Sequence, residues 1–277
     1  MINFQIYKGG KLIKFEDDKK LFENETFQTL FIFHGLFGRG KNWQSYSKRF
    51  SSNENQIVIT VDLRNHGGNQ FKRDFSYFLM VQDFMKLLNY FGIKKANLLG
   101  HSMGGKLAML ITSLYPKYIN KIIIVDISPI DYSIEYQNDN QNIIDILLNL
   151  DLSLIKNRNH ADNLLSKHID QKFLRLFLLQ NLELIQGKYR WTLNLIAIKN
   201  AMKDLRSFPR NDKVNQVDVN ALCIYAGKSD YVKEKFFPIF KNYFSNISFY
   251  KIKNASHLLH IESPDEFYQV SSNFLAN

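Results

Sequence analysis

Short apolar runs alternate with segments of helical periodicity along most of this chain, and no other feature constrains its fold as strongly. The runs are rich in β-branched and aromatic residues, which favour strands. The intervening segments carry apolar residues at every third or fourth position, the spacing of a helix with one buried face. This alternation predicts an α/β fold, with a mostly parallel central sheet and helices on both of its faces.

The predicted elements follow directly from this pattern. The first two apolar runs, residues 3–7 and 12–15, predict an antiparallel pair. Strands of the central sheet are predicted at residues 28–33, 56–61, 96–99, 121–125, 221–226 and 248–252. Helices are predicted at residues 76–91, 103–114 and 264–275, and the apolar face of the first contains Phe78, Val81, Phe84, Leu87, Leu88 and Phe91.

One long stretch, residues 129–214, interrupts the alternation. It contains almost no strand pattern, and helical patterns are found at residues 143–150, 163–165, 173–184 and 193–202. A stretch of about 85 residues is far longer than an ordinary connection between two strands. We therefore expect a mostly helical cap at residues 129–214, inserted into a core that is formed by residues 1–128 and 215–277.

A glycine-rich turn containing Ser102 joins the strand predicted at 96–99 to the helix predicted at 103–114. Its sequence, over residues 100–105, is GHSMGG. A serine between glycines on a strand-to-helix turn is typical of a nucleophile elbow, where the tight turn requires small neighbours. The serine hydroxyl then lies at a helix N-terminus, where developing negative charge is favoured. The alternative is a glycine-rich turn with an inert serine.

A second loop, residues 34–38 with the sequence HGLFG, follows the strand predicted at 28–33. Acyl transfer needs N–H donors aimed at the oxyanion of the tetrahedral intermediate. After a nucleophile elbow, these donors come from the next residue and from such a loop, so the candidates are the backbone N–H groups of Leu36 and Met103. His34 and Phe37 are candidate substrate-binding residues. A plain strand-to-helix loop is the alternative.

The general base is expected after the last strand of the sheet. His257 follows the strand predicted at 248–252 directly, which makes it the best placed of the seven histidines. His260, three residues further along the chain, is the rival candidate. A lone histidine also often serves only to satisfy a buried hydrogen bond, so a structural role is the alternative for His257.

The acid that orients the base is expected between Ser102 and His257 in chain order. Asp230 follows the strand predicted at 221–226, and Asp126 ends the strand predicted at 121–125. Either carboxylate could hold the imidazole in its working tautomer and stabilise the imidazolium, because geometry rather than chain position defines this role. Both therefore remain candidates, and the other would be a turn or capping aspartate.

Composition excludes several other classes of function. The 36 Lys and Arg residues exceed the 26 Asp and Glu residues, giving a net charge of +10, but they are scattered, and neither a zinc pattern nor a DNA-binding helix motif is present. We therefore expect no nucleic-acid partner and no metal. The single cysteine, Cys223, is expected to be buried, and one lone thiol suits a reducing compartment. No apolar stretch predicts a transmembrane span. A cytoplasmic location is expected, with the mitochondrial matrix as the alternative.

Together these motifs resemble those of the small α/β-hydrolase esterases of the bacterial YbfF type and their mitochondrial α/β-hydrolase-domain relatives. The resemblance covers nearly the whole chain. Besides the loop at 34–38 and the elbow, it rests on NW at 42–43, DLRNHG at 62–67, Lys106, VDISP at 125–129, AD at 161–162, FLLQNL at 177–182 and YRWTLNL at 189–195.

The resemblance implies an α/β-hydrolase fold, a serine nucleophile, an acyl-enzyme intermediate and no cofactor. The family uses the aspartate that matches Asp126 and usually lacks one at the place of Asp230, so this sequence offers one acid more than expected. It also has Ser256 where a glycine usually precedes the catalytic histidine, which requires a negative φ at that position.

A small-molecule acyl ester or thioester is thus the expected substrate, while the sequence leaves the oligomeric state open. Phe177, Trp191 and Leu195 of the cap are expected to line an apolar acyl pocket, although ordinary packing within the cap is the alternative for each. The competing function is a non-catalytic hydrolase-fold scaffold or a ligand-binding subunit of a larger complex.

Overall fold

A computed structural model describes residues 1–14, 21–22, 27–132, 139–209 and 216–277. Its strands are β1 (Phe4–Lys8), β2 (Lys11–Ile13), β3 (Gln28–Phe33), β4 (Gln56–Val61), β5 (Ala96–His101), β6 (Ile119–Val125), β7 (Leu182–Ile185), β8 (Lys188–Trp191), β9 (Asn220–Ala226) and β10 (Ile247–Ile252). Its α-helices are α1 (Gln44–Phe50), α2 (Tyr77–Phe91), α3 (Met103–Leu114), α4 (Asp139–Asn149), α5 (Arg158–Leu165), α6 (Lys172–Leu179), α7 (Leu195–Arg206), α8 (Phe237–Lys241), α9 (Leu259–Glu262) and α10 (Pro264–Ala276).

The central sheet follows the order β10-β9-β6-β5-β3-β4-β1-β2 within the described ranges. Its first six strands are parallel, and β1 is antiparallel to both of its neighbours. The α/β fold with a mostly parallel sheet is therefore confirmed. All six strands predicted for this sheet are present, and the predicted antiparallel pair, β1 and β2, extends the same sheet. Residue 15, at the end of the second predicted run, lies outside the described residues. Cys223 is buried in β9, as expected.

Helix α2 shows how local sequence sets the helix ends and packing sets the buried face. The Ser76 hydroxyl accepts a hydrogen bond from the Leu79 N–H (3.3 Å), and Gly92 ends the helix at a φ of 67°. The prediction that Phe78 faces the core is wrong, since its side chain is 46% exposed. Tyr77 is buried instead, and its hydroxyl donates to the Leu205 carbonyl (2.9 Å).

The segment between β6 and β9 contributes no strand to the central sheet in its described part. We call residues 139–209 the insertion. Helices α4, α5 and α7 correspond to three of the predicted helical patterns, and α6 corresponds to the start of the fourth. The residues 210–214 at the end of the predicted cap lie outside the described ranges, as do residues 133–138.

A β-hairpin within the insertion corrects the expectation that this segment has almost no strands. The predicted helix at 173–184 ends at Leu179, and the chain then forms β7 and β8, which pair antiparallel. Gln186 and Gly187 connect them with φ values of 50° and 74°. Two consecutive left-handed residues match the twist of a tight hairpin, but the sequence signals this turn only weakly because Gln is not a usual residue there.

The N-terminus of α3 lies directly against the carboxyl end of β3. A Cβ atom added to Gly104 would be 2.4 Å from the Phe33 carbonyl oxygen and 2.7 Å from that of His34. Both atoms belong to backbone that is fixed in the sheet or at its edge, so no side-chain movement could relieve the overlap. Glycine at this position therefore sets how closely α3 approaches the sheet.

Four histidines are buried at or near the carboxyl ends of the parallel strands. They are His34, His66, His101 and His260. Burial lowers the pKa of each, to about 3 for His66 and His260. The His260 ring is stacked on Trp43, with 4.4 Å between ring centroids and 10° between planes. These imidazoles therefore pack as neutral aromatic side chains.

We predict that Gly104→Ala destabilises the protein by about 2 kcal/mol or more, because the added methyl group forces α3 away from β3. Gly92→Ala is the matched control. Gly92 has no atom within 4 Å of an added Cβ, so its substitution should cost only about 1 kcal/mol for the left-handed backbone. Urea unfolding of both variants measures the difference, and equal losses would contradict the close approach.

We also predict that the free energy of unfolding decreases as the pH falls below about 6.5. The unfolded chain protonates its histidines near pH 6.5, whereas the folded protein keeps His66 and His260 neutral down to about pH 3. The unfolded state thus binds more protons in this window, at about 1.4 kcal/mol per pH unit for each such histidine.

His260→Phe retains an aromatic ring beside Trp43. It should reduce the pH dependence of the free energy of unfolding by the contribution of one histidine, about 1.4 kcal/mol per pH unit. Urea unfolding between pH 7.5 and 5 measures it, and His168→Gln, at an exposed position in the insertion, is the control. An identical slope in wild type and His260→Phe would contradict the prediction.

Candidate active site

Ser102 connects β5 to α3 in a strained backbone conformation, with a φ of 53° and a ψ of −118°. Its N–H donates to the Val125 carbonyl of β6 (3.0 Å), and its own carbonyl accepts from the Gly105 N–H (2.8 Å). The side chain is half-buried and lines a cleft. The turn has the geometry of a nucleophile elbow, which leaves the hydroxyl facing the cleft.

Left-handed residues other than glycine follow four neighbouring strands. They are Phe37 after β3, Asn65 after β4, Ser102 after β5 and Asp126 after β6, with φ values between 49° and 64°. Each costs about 1 kcal/mol or more and persists only where its surroundings over-determine it. Such strain is concentrated at functional sites, and here it marks the carboxyl edge of the parallel strands.

Asp126 and His257 are in direct contact. The Asp126 Oδ2 lies 2.8 Å from the His257 Nδ1, and its Oδ1 accepts a hydrogen bond from the Ala226 N–H (3.0 Å). The Asp126 N–H donates to the Ile224 carbonyl (2.9 Å), and its carboxylate is fully buried. This contact assigns the proton to Nδ1 and leaves Nε2 as the basic nitrogen of the imidazole.

Asp230, the other candidate acid, is held elsewhere. Its carboxylate forms an ion pair with the Lys233 ammonium (2.9 Å), and its side chain is 76% exposed. Backbone hydrogen bonds from Gly227 to Ile252 and from Lys228 to Ala255 fix the start of this loop against the end of β10. The structure thus brings Asp126 to His257 and places the Asp230 carboxylate in an ion pair at the surface.

The loop that carries His257 is fixed from two directions. The N–H and hydroxyl of Ser256 both donate to the Glu262 carboxylate, and the φ of Ser256 is negative, as its side chain requires. The His101 Nε2 contacts the His257 carbonyl (2.9 Å). The rival His260 stacks on Trp43 instead and makes no ion pair with Asp126. Glu262 was not anticipated from the sequence.

The backbone N–H groups of Leu36 and Met103 are free to serve as donors. Neither one donates to another residue in the part of the chain that the structure describes. Met103 is the first residue of α3, where the helix itself offers no acceptor for the N–H. Both residues line the same cleft as Ser102, so a substrate oxygen in this cleft could accept from both.

The wall of this cleft combines apolar and aromatic side chains with the polar groups of Ser102, Lys106, Asn140 and Arg206. Its described part includes Leu36, Tyr77, Ile127, Tyr132, Met202, Leu205 and Tyr231. The ring of Tyr231 also packs on the ring of His257, with 4.1 Å between centroids, so one residue of the cleft wall contacts the imidazole. Met202 and Leu205 come from α7, which shows that the insertion forms part of this wall.

None of the five predicted substrate-binding residues is among the residues that line this cleft in the described chain. In the insertion, the Trp191 indole N–H donates to the Leu147 carbonyl (3.2 Å), Leu195 is buried and Phe177 packs against the core. Phe37 and His34 are buried as well. Helical periodicity does not reveal which side chains of a distant segment face the serine, so the lining residues of α7 carried no sequence signal.

His34 holds the loop at 34–38 rather than facing the cleft. Its Nε2 accepts from the Leu63 N–H (2.9 Å), so its Nδ1 carries the proton and donates to the Gly35 carbonyl (2.7 Å). Burial lowers the pKa of His34, which favours this neutral form. The ring therefore holds the peptide group that contains the Leu36 N–H donor.

Lys106 lies one turn after Ser102 in α3 and is almost completely buried. Its ammonium donates to the carbonyls of Ile130 (3.1 Å), Ser207 (2.9 Å) and Arg206, and it lies over the Tyr132 ring. Burial lowers its pKa to about 7. One side chain thus joins α3 to both ends of the segment between β6 and β9.

Two further properties bear on the kind of site present. Within the described ranges, no three His, Cys, Asp or Glu side chains are grouped so as to hold a metal ion. No helix in those ranges is both long and apolar enough to cross a membrane.

Residues 28–264 match a family described as having the alpha/beta hydrolase fold. The chain is 31% identical to the sn-1-specific diacylglycerol lipase ABHD11 of Danio rerio, over 92% of this chain and 81% of that protein. It is 28% identical to the esterase YbfF of Escherichia coli, over 88% and 91% of the two chains. A solved marine microorganism esterase superposes with a TM-score of 0.88 and 32% identity over 99% and 98% of the chains. The protein thus belongs to the α/β-hydrolase family and is similar to its esterases and lipases.

Proposed function

We propose that this protein is a serine hydrolase that cleaves acyl esters, with Ser102 as nucleophile, His257 as general base and Asp126 as the acid that orients the base. The contact that carries this proposal is the one between the Asp126 Oδ2 and the His257 Nδ1, 2.8 Å apart, at the sheet edge that also bears Ser102. The esterase and lipase names of its relatives agree with this class of reaction.

In the first step, the His257 Nε2 accepts the proton of the Ser102 hydroxyl as the Ser102 Oγ attacks the acyl carbon. The Leu36 and Met103 N–H groups donate to the oxyanion that forms. Asp126 stabilises the imidazolium, which then protonates the leaving alcohol. The Ser102 hydroxyl forms no hydrogen bond with the His257 ring, whose Nδ1 contacts Asp126, and such bonds commonly tighten only when substrate is bound.

In the second step, water takes the place of the alcohol. His257 removes a proton from the water, hydroxide adds to the acyl-enzyme carbonyl, and the same two N–H groups hold the second oxyanion. Collapse of this intermediate releases the carboxylic acid and returns the proton to Ser102. Overall, one ester and one water become one acid and one alcohol, so no cofactor is needed.

The cleft wall supports an acyl substrate. Tyr77, Ile127, Met202 and Leu205 offer apolar surface beside Ser102 and could bury an alkyl chain. The Danio rerio relative is named for diacylglycerol, which makes acylglycerols one substrate class to test. Thioesters such as acyl-CoA require the same nucleophile and oxyanion donors, so they form a second class.

We predict that Ser102→Ala abolishes turnover of p-nitrophenyl esters, tested from acetate to palmitate, and of acylglycerols, while the melting temperature stays near that of wild type. The loss follows because no other side chain supplies the attacking oxygen. Full activity in Ser102→Ala would contradict the assignment of Ser102 as nucleophile. A wild type inactive on esters, acylglycerols and acyl-CoA would instead favour the non-catalytic scaffold.

We further predict that Asp126→Asn lowers kcat by about 10⁴-fold, because an amide at this position favours the wrong imidazole tautomer. Asp230→Asn is the matched control, since it makes the same chemical change at the carboxylate paired with Lys233, and its kcat should stay close to that of wild type. The opposite ranking of the two variants in steady-state kinetics would assign the acid to Asp230.

A further inference from the structure

Asn181 links the insertion to the loop that contains Leu36. Its side chain is 1% exposed, and the Asn181 Nδ2 donates to the Phe37 carbonyl (2.7 Å). The chain positions are far apart, since Asn181 lies between α6 and β7 and Phe37 follows β3. Two neighbouring hydrogen bonds join the same parts of the molecule. Asn42 donates to the Gln180 side chain, and Arg39 donates to the Glu183 carboxylate.

The Phe37 carbonyl that Asn181 contacts belongs to the same peptide group as the Gly38 N–H. That N–H donates to the Gly35 carbonyl (3.0 Å) and closes the turn. The Gly35 carbonyl in turn belongs to the same peptide group as the Leu36 N–H. Because a trans peptide is planar and its C=O and N–H point in opposite directions, fixing the Gly35 carbonyl also fixes the direction of the Leu36 N–H.

Three donors are therefore connected in series from the insertion to the cleft. The Asn181 amide donates to one peptide group, that group donates to the next, and the last ends in the free Leu36 N–H. Hydrogen bonds arranged in this way polarise one another, so the donor at the end is strengthened as well as aimed. The turn also needs Phe37 at a φ of 61°, a conformation that usually requires glycine or asparagine.

Among the described residues, the Asn181 side chain acts as a donor and not as an acceptor. The Asn181 Oδ1 is buried and accepts no hydrogen bond from the described residues. Its Nδ2 donates to the Phe37 carbonyl and to the Leu178 carbonyl (3.3 Å), and an apolar side chain of similar size would leave both carbonyls without this donor. The group that the site gains from Asn181 is its N–H donor.

We propose that Asn181 is a positioning residue for the oxyanion hole, and that through the two peptide groups it aims the Leu36 N–H at the substrate oxyanion. This inference rests on the proposed function. Docking of the insertion then completes the catalytic geometry, because the first donor of the series comes from the insertion and the last lies in the core.

The test compares Asn181→Leu with Gln180→Ala, which removes the adjacent hydrogen bond to Asn42 and leaves the series intact. With p-nitrophenyl butyrate, Asn181→Leu should lower kcat by about 10- to 100-fold with little change in KM, somewhat less than the loss of a whole oxyanion donor. The inhibition constant of butylboronic acid, which forms a tetrahedral adduct with serine, should rise by a similar factor. Gln180→Ala should match wild type in both measurements.

A kcat of Asn181→Leu within about twofold of wild type would overturn the inference, and so would an equal loss in Gln180→Ala. If Asn181→Leu does not fold, Asn181→Asp tests the same inference. It has the same size, but its carboxyl can donate only when protonated, so its kcat deficit should grow as the pH rises, and a constant ratio to wild type would refute the series. Turnover that persists in Ser102→Ala would refute the proposed function instead.

Discussion

The buried carboxylate of Asp126 is the contact on which the geometry of the site depends. One oxygen accepts from the backbone of Ala226 at the end of β9, and the other contacts the His257 ring from the loop after β10. Its own backbone N–H donates to Ile224. A buried carboxylate is tolerated only when its oxygens accept hydrogen bonds. Here the donors belong to β9 and to the loop after β10.

The rigid sheet allows the strand ends to keep unfavourable backbone conformations. Ser102 and Asp126 lie at a positive φ directly after parallel strands, and Phe37 does so four residues after β3. Each is held by hydrogen bonds to a neighbouring element. Gly104 lets α3 approach β3 closely enough to place Ser102 at this edge. Groups held in this way need little rearrangement when charge develops during a reaction, which is the physical basis of preorganised catalysis.

The motifs that suggested the family resemblance meet one another in space. Asn181, from the 177–182 motif, contacts Phe37 of the 34–38 loop. Asn194, from the 189–195 motif, donates through its N–H to the Asn65 carbonyl of the 62–67 motif (3.0 Å), and the adjacent Leu193 forms a bridge with His66. The insertion therefore packs on the loops after β3 and β4 through polar contacts. The motifs at 177–182 and 189–195 supply the contacts from the insertion, and those at 34–38 and 62–67 supply the contacts from the core.

The sequence by itself determined the strand order along the chain, the elbow at Ser102 and the position of His257 after the last strand, because these depend on periodicity and on local turns. It left Asp126 and Asp230 open, since both follow strands and only the path of the loop after β9 decides which carboxylate reaches the imidazole. It did not indicate that α7 lines the cleft, that β7 and β8 form a hairpin, or that Asn181 contacts Phe37. Those features depend on contacts between residues far apart in the chain, which only the packing of the insertion on the sheet determines.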